Sequence, residues 1–172
     1  MNGIYELPIH GSRWKNGWQF APILTLQSGN PINFKTTNTS FTGAATLRPS
    51  VRGPVTTEYS PASNGNATYV GYIENPSVFY DQGAAFGTLG RNTIIGPGFS
   101  NLDIALIKQT KLRETIRLEI RADAFDAFNH PNFGQPGVTI NTGTFGLLTN
   151  TRFPTGDSGS SRQMQLAAKL VF

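Results

Sequence analysis

The chain has 172 residues, 19 of them Gly and 11 Pro, so turns and long connections must occupy much of it, which argues against a helical bundle. It contains no Cys, which excludes a disulfide framework and thiolate metal sites. Lys plus Arg number 14 against 10 Asp plus Glu, a net charge of +4 with the basic residues scattered, so nucleic acid is not an expected partner.

Residues 1–10 (MNGIYELPIH) have neither the basic start nor the apolar run of a secretory signal, and no signal peptide is expected within the chain. No stretch reaches the roughly 18 consecutive apolar residues of a transmembrane helix. A transmembrane strand needs only about 9–11 residues and is apolar on one face alone. That pattern recurs along the chain. Residues 4–9 (IYELPI) supply part of a first strand. Residues 18–27 (WQFAPILTLQ) put Trp18, Phe20, Leu24 and Leu26 on one side, and Pro22, lacking a ladder donor, predicts a bulge or an edge position. Residues 36–99 are rich in Gly, Pro, Asn, Thr and Ser and read as one long connection. Within 100–108 (SNLDIALIK), Leu102, Ile104 and Leu106 oppose Asn101, Asp103 and Ala105.

The link that follows, up to Ile116, is short and predicts a tight hairpin. Residues 116–128 (IRLEIRADAFDAF) then set Ile116, Leu118, Ile120, Ala122 and Ala124 against Arg117, Glu119, Arg121 and Asp123. A helix would also put Ile116, Ile120 and Ala124 on one face, but the unbroken alternation and the β-branched residues favour a strand. A second long connection covers 129–161, and 162–172 (RQMQLAAKLVF) alternates again, with Met164, Leu166, Ala168, Leu170 and Phe172 on the apolar side.

Short turns on one side and long loops on the other characterise outer-membrane barrels, whose periplasmic turns are short. The expected fold class is therefore all-β: an antiparallel transmembrane β-barrel segment of four to five strands with long extracellular loops. In that arrangement Arg117, Glu119, Arg121 and Asp123 face the lumen. Trp14, Trp18 and Phe172 fall near the periplasmic ends, and Phe125 and Phe128 near the outer one, where barrels carry aromatic girdles. Lys108, the one charge on the apolar side of its strand, sits at the inner end, where its stem can snorkel, and Asp126 falls at the outer end.

No catalytic residue, metal ligand or cofactor is expected, and the chain does not read as an enzyme. His10 and His130 lack a second His or Cys at ligand spacing, and His130 lies in a turn, FNHPNFG. Asp103, Glu119, Asp123 and Asp126 are ordinary carboxylates for a wetted face. The run GDSGSS (156–161) has no accompanying His and Asp constellation and reads as Gly/Ser loop, and Gly96-Pro97-Gly98 reads as a turn. Tyr59, Tyr69, Tyr72 and Tyr80 have two readings, stacking on a sugar or chelate or simple packing, and packing is at least as common.

Four segments carry a resemblance: GWQFAPILTLQSGNPI (17–32), FGTLGRNTIIGPGFSNLDIALIK (86–108), LRETIRLEIRADAFDAFNHPNFG (112–134) and RQMQLAAKLVF (162–172). Together they resemble the C-terminal end of TonB-dependent receptors, most of all the Oar-like branch with a carboxypeptidase-regulatory-like N-terminal domain. The resemblance implies a parent barrel of about 22 strands with a plugged lumen, of which 1–172 is the C-terminal part, the plug domain and remaining strands being absent. It implies an outer-membrane transporter of a Gram-negative bacterium that imports a scarce nutrient, a sugar, iron chelate or similar, with energy coupled through TonB. It also implies that Met164, Leu166, Ala168, Leu170 and Phe172 form the C-terminal signal read by the barrel-assembly machinery. The implied partners are outer-membrane lipid, that machinery, an unspecified small-molecule substrate, and TonB through the missing N-terminal part. The alternative is a free-standing soluble all-β carbohydrate-binding or adhesion module, which leaves the apolar face running to a terminal Phe unexplained.

Overall fold

The computed structural model describes residues 1–37, 47–62, 64–83, 85–152 and 161–172. In chain order the strands are β1 (Tyr5–Glu6), β2 (Trp18–Gln27), β3 (Pro31–Ile32), β4 (Ser50–Val51), β5 (Thr57–Pro61), β6 (Val70–Ile73), β7 (Phe79–Tyr80), β8 (Ile94–Ile95), β9 (Phe99–Lys111), β10 (Arg117–Phe125), β11 (Leu147–Leu148) and β12 (Gln163–Val171). The chain divides into two compact units.

The first unit comprises Met1–Gln27, Phe99–Asn132 and Thr155–Phe172 and carries an open five-stranded antiparallel sheet in the order β1-β2-β9-β10-β12. Register fixes its faces, because residues directly opposite one another point to the same side. One set of rows reads Trp18–Lys108–Ile120–Ala168, Phe20–Leu106–Ala122–Leu166 and Pro22–Ile104–Ala124–Met164. The alternate rows read Gln109–Glu119–Lys169, Gln19–Ile107–Arg121–Ala167 and Ala21–Ala105–Asp123–Gln165. The apolar positions of four strands thus fall on one face, and a one-residue slip in any pairing would mix the two chemistries.

Pro22 makes no bulge: the pairing with β9 runs in register from Trp18↔Lys108 to Gln27↔Phe99. Trp18 accepts from the Leu7 N–H and Leu24 donates to the Met1 carbonyl, so even-numbered residues of β2 turn their backbone groups away from β9. The nitrogen of Pro22 therefore faces the sparsely paired β1 side, the edge position in which a missing donor costs little. The hairpin between β9 and β10 is tight as expected, closed by the Leu112 N–H donating to the Ile116 carbonyl at 2.9 Å.

β10 is shorter than the alternation over 116–128 predicts. It ends at Phe125, and Asp126 (φ 48°) and Asn129 (φ 53°) take the left-handed conformation that Asp and Asn tolerate. Residues 126–132 then form a corner that ties three strands together. The Asp126 N–H donates to Asp103 Oδ1 (2.9 Å), and the Ala127 N–H donates to the Leu102 carbonyl (2.8 Å). Asn129 Oδ1 accepts from the Arg162 N–H (2.9 Å), and Asn132 exchanges two bonds with the Ser100 backbone (2.8 and 3.0 Å). Asn132 is buried. Replacing it with Ala should destabilise the unit by about 1–3 kcal/mol, because the Ser100 amide and carbonyl lose their partner away from water. The measurable outcome is a lower temperature for loss of the folded band on unheated gels.

The second unit comprises Ser28–Gly98 and Phe133–Pro154. Composition marks these segments as connections, yet they hold three small sheets, β11-β6-β5, β3-β8 and β4-β7, around a core of their own. Ile32, Phe34, Tyr72, Ile73, Phe79, Leu89, Ile94, Ile140, Phe145 and Leu148 form that core. At its centre the rings of Phe34, Phe79 and Phe145 meet edge to face at centroid distances of 5.0 to 5.4 Å. Some of the glycine here serves contact between backbones. A Cβ on Gly87 would lie 2.0 Å from the Arg48 carbonyl oxygen and 2.4 Å from that of Pro49.

Candidate functional site

The two faces of the first unit's sheet differ in chemistry. On the apolar face Leu166 is 78% exposed, and Met164, Leu170 and Leu26 are also exposed. A continuous apolar surface of this kind is unfavourable in water and suits contact with hydrocarbon. The strand lengths fit the same surroundings. The ten residues of β2 extend about 34 Å at about 3.4 Å per residue, which covers about 25 Å when tilted by roughly 40°. No helix among the described residues is long and apolar enough to cross a membrane, which says nothing against strands.

Arg117, Glu119, Arg121 and Asp123 share the opposite face, as their spacing predicts. Arg121 Nε donates to both carboxylate oxygens of Asp123, at 2.8 and 2.9 Å. Glu119 Oε2 accepts from Gln109 Nε2 at 3.1 Å and lies across from Lys169. Arg117 stands at the hairpin end, opposite Lys111 and Val171. Arg121 and Asp123 thus satisfy one another, and Glu119 takes its bond from the neighbouring strand. With the Arg121 side chain half exposed, the ion pair contributes about 0–1 kcal/mol.

Lys108 departs from expectation. It lies on the apolar face at the inner end, but it is buried (7% exposed) and does not snorkel to water. The chain preceding β2 folds over the strand end, where the Gly17 carbonyl accepts from the Gln109 N–H at 2.8 Å. The Lys108 ammonium therefore donates to the carbonyls of Arg13, Asn16 and Gln109 and sits 5.6 Å from the centre of the Trp18 ring.

Trp14 is exposed in the same turn, with the Arg13 guanidinium 5.8 Å from its ring centre. Phe125 closes β10 on the charged residues' face, paired with Gln163. Phe128 lies beyond the strand, in the corner, and is 76% exposed. Met164, Leu166, Ala168 and Leu170 lie on one face of β12, and Phe172 follows the strand. β12 pairs with β10 along nine residues and forms one edge of the sheet.

Within the second unit, Tyr72 is a packing residue whose buried phenol donates to the Ile95 carbonyl at 2.7 Å. Tyr80 lies against the Arg52 guanidinium, 4.6 Å from its ring centre. The Tyr69 N–H donates to the Asn66 carbonyl at 3.1 Å. Burial pushes the phenols of Tyr59 and Tyr72 above their ordinary value, so both stay neutral at physiological pH.

The described carboxylates act as local acceptors: Asp103 for Asn101 Nδ2 and the Asp126 N–H, and Asp126 for the His130 N–H. Among the described residues no cluster of His, Asp and Glu could hold a metal ion. Residues 156–160 of GDSGSS lie outside the described residues.

Residues 1–165 match the protein family described as outer membrane beta barrel domain. No curated protein and no solved structure matches the chain. An all-β chain whose five-stranded sheet separates an apolar face from a charged one, and which matches that family over nearly its whole length, belongs to the outer-membrane β-barrel domain family.

Proposed function

We propose that the chain forms part of the wall of a TonB-dependent outer-membrane transporter, as the C-terminal portion of its barrel. The observation that carries the membrane part is the register of β2, β9, β10 and β12, which places the apolar rows on one face and the charged rows on the other. The transport part is supported by the resemblance of the four segments to TonB-dependent receptors.

The sheet ends in the edge strands β1 and β12, and hydrocarbon offers a strand edge no hydrogen-bond partners. Further strands of the same polypeptide complete the barrel in this reading. Its apolar band meets outer-membrane lipid, and the barrel-assembly machinery engages β12. Gln27 pairs with Phe99, and Phe125 with Gln163, so both long connections leave the sheet from one end, opposite the short hairpin. They would capture a small molecule at the cell surface, and a plug moved through TonB would admit it. The chain's own residues provide walls and surface, with no chemical step.

The test uses the protein expressed from its native locus, solubilised in detergent from outer membranes and passed over the immobilised periplasmic domain of TonB. Retention, abolished by competing free TonB domain, is the expected result. A folded protein that flows through while a known receptor is retained would contradict the transport reading. Recovery in the soluble fraction would favour a free-standing β module.

A further inference from the structure

We propose that the second unit carries a binding site for a neutral oligosaccharide, at the cavity beside Phe133 and Tyr59. The cavity, of about 330 Å³, is lined among others by Asn30, Pro97, Phe133, Gln135, Asn150 and Thr151. Asn30, Gln135 and Asn150 are exposed amides, each with both donors and an acceptor, and Thr151 adds a hydroxyl. The lining contains no carboxylate, and Arg152 is its one charged residue. Such a set suits a ligand dense in neutral hydroxyl groups, each of which gives and takes hydrogen bonds.

The apolar half of the recognition comes from aromatic rings. Phe133 lines the cavity, and the ring of Tyr59, which is 54% exposed, lies 5.6 Å from that of Phe133 at an interplanar angle of 37°. Tyr59 is backed in turn by Tyr72 at 5.7 Å, whose phenol is tied to the Ile95 carbonyl. An aromatic pair backed by a third ring, beside three exposed amides, matches a pyranose, which presents a C–H face to a ring while its equatorial hydroxyls reach polar groups.

The wall is built closely enough to hold its shape. The Gly134 N–H donates to the Asn150 carbonyl at 3.0 Å, and Phe133 and Thr151 are bridged antiparallel. A Cβ on Gly134 would lie 2.2 Å from Asn150 Oδ1, so glycine at this position leaves the amide its place. Another cavity of the unit, of about 340 Å³, also has amides and hydroxyls, but its aromatic residues Phe79 and Phe145 are buried and engaged edge to face with Phe34. Their faces are not open to a ligand.

The inference rests on the transport reading for the fate of the sugar, though not for its binding, and the experiment separates the two. Fluorescein-labelled cellohexaose, maltohexaose and mannohexaose are titrated against the detergent-solubilised native-locus protein and followed by fluorescence anisotropy, with no TonB and no energy source. At least one should bind saturably at micromolar to low millimolar concentration. Tyr59→Ala should weaken that binding roughly tenfold, and Gln135→Ala, an exposed change that leaves the core untouched, by about fivefold. Asn64→Ala in the other cavity should leave it unchanged. Failure of all three probes, or equal binding by the Tyr59 and Gln135 variants, would overturn the site, and so would binding of ferrichrome in their place. Sugar binding by a protein that TonB does not retain would uphold the site and remove the transport reading.

Discussion

Phe34→Ala is expected to unfold the second unit while leaving the barrel strands in place. Phe34 is 1% exposed and touches both Phe79 and Phe145 edge to face, at 5.2 and 5.4 Å. Truncating such a ring removes its burial and leaves a cavity that the surrounding strands, most of them two residues long, are poorly placed to fill. The expected cost is about 3–5 kcal/mol, a large share of the roughly 5–15 kcal/mol that holds a typical domain together. Protease added to intact cells should cut the variant within Ser28–Gly98 or Phe133–Pro154 at concentrations that leave the parent protein whole. The first unit's sheet draws on none of these rings, so the folded band on unheated gels should survive. Protease resistance equal to the parent's would show that the aromatic cluster contributes little.

The second large effect concerns the membrane face. Leu166 lies midway along β12 in the row Phe20–Leu106–Ala122–Leu166, and Gln165 lies in the alternate row beside Asp123. Leu166→Arg would place a guanidinium in hydrocarbon near the bilayer midplane, at a cost of about 2–4 kcal/mol. Gln165→Arg would place the same group on the charged face, where the Asp123 carboxylate lies across the ladder, and should change stability by less than about 0.5 kcal/mol. Folding yield in lipid vesicles, measured against urea, reads the difference. Equal effects from the two substitutions would mean that the faces do not differ in their surroundings.

Much of the first unit was legible because a strand exposed differently on its two sides writes a period of two into the chain. The alternation over 18–27 matches β2 residue for residue, and that over 162–172 differs from β12 only at its ends. The charged set on β10 falls on one face for the same reason. Alternation failed where side chains bond to backbone. The run 116–128 continues apolar past Phe125, but Asp126, Asn129 and Asn132 turn the chain into the corner through bonds to residues far away in sequence. Lys108 falls near the hairpin end of β9 and on the apolar face, as the alternation predicts, but its capping by the carbonyls of Arg13 and Asn16 depends on a turn with no periodic signature.

The second unit was not legible as a folded body. Its core residues, from Ile32 to Leu148, are spread irregularly among Gly, Pro, Asn and Thr, and most of its strands have two residues, too few to show a period. The glycines that suggest flexible loop include Gly87, which is there because two backbones touch. The saccharide cavity draws on residues as far apart as Asn30 and Arg152, a proximity that no local pattern announces.

The apolar rows of the five-stranded sheet are expected to face lipid and the charged rows water. The chain has no Cys, so single cysteines can be placed without background at successive positions of β12, from Met164 to Lys169. Each would carry a nitroxide spin label, and collision with oxygen, which concentrates in lipid, would be compared with collision with a water-soluble nickel complex in native-locus outer membranes. Oxygen exposure should peak at 164, 166 and 168 and nickel exposure at 165, 167 and 169, with a period of two. Equal nickel access at every position would place both faces in water and contradict the membrane-spanning account.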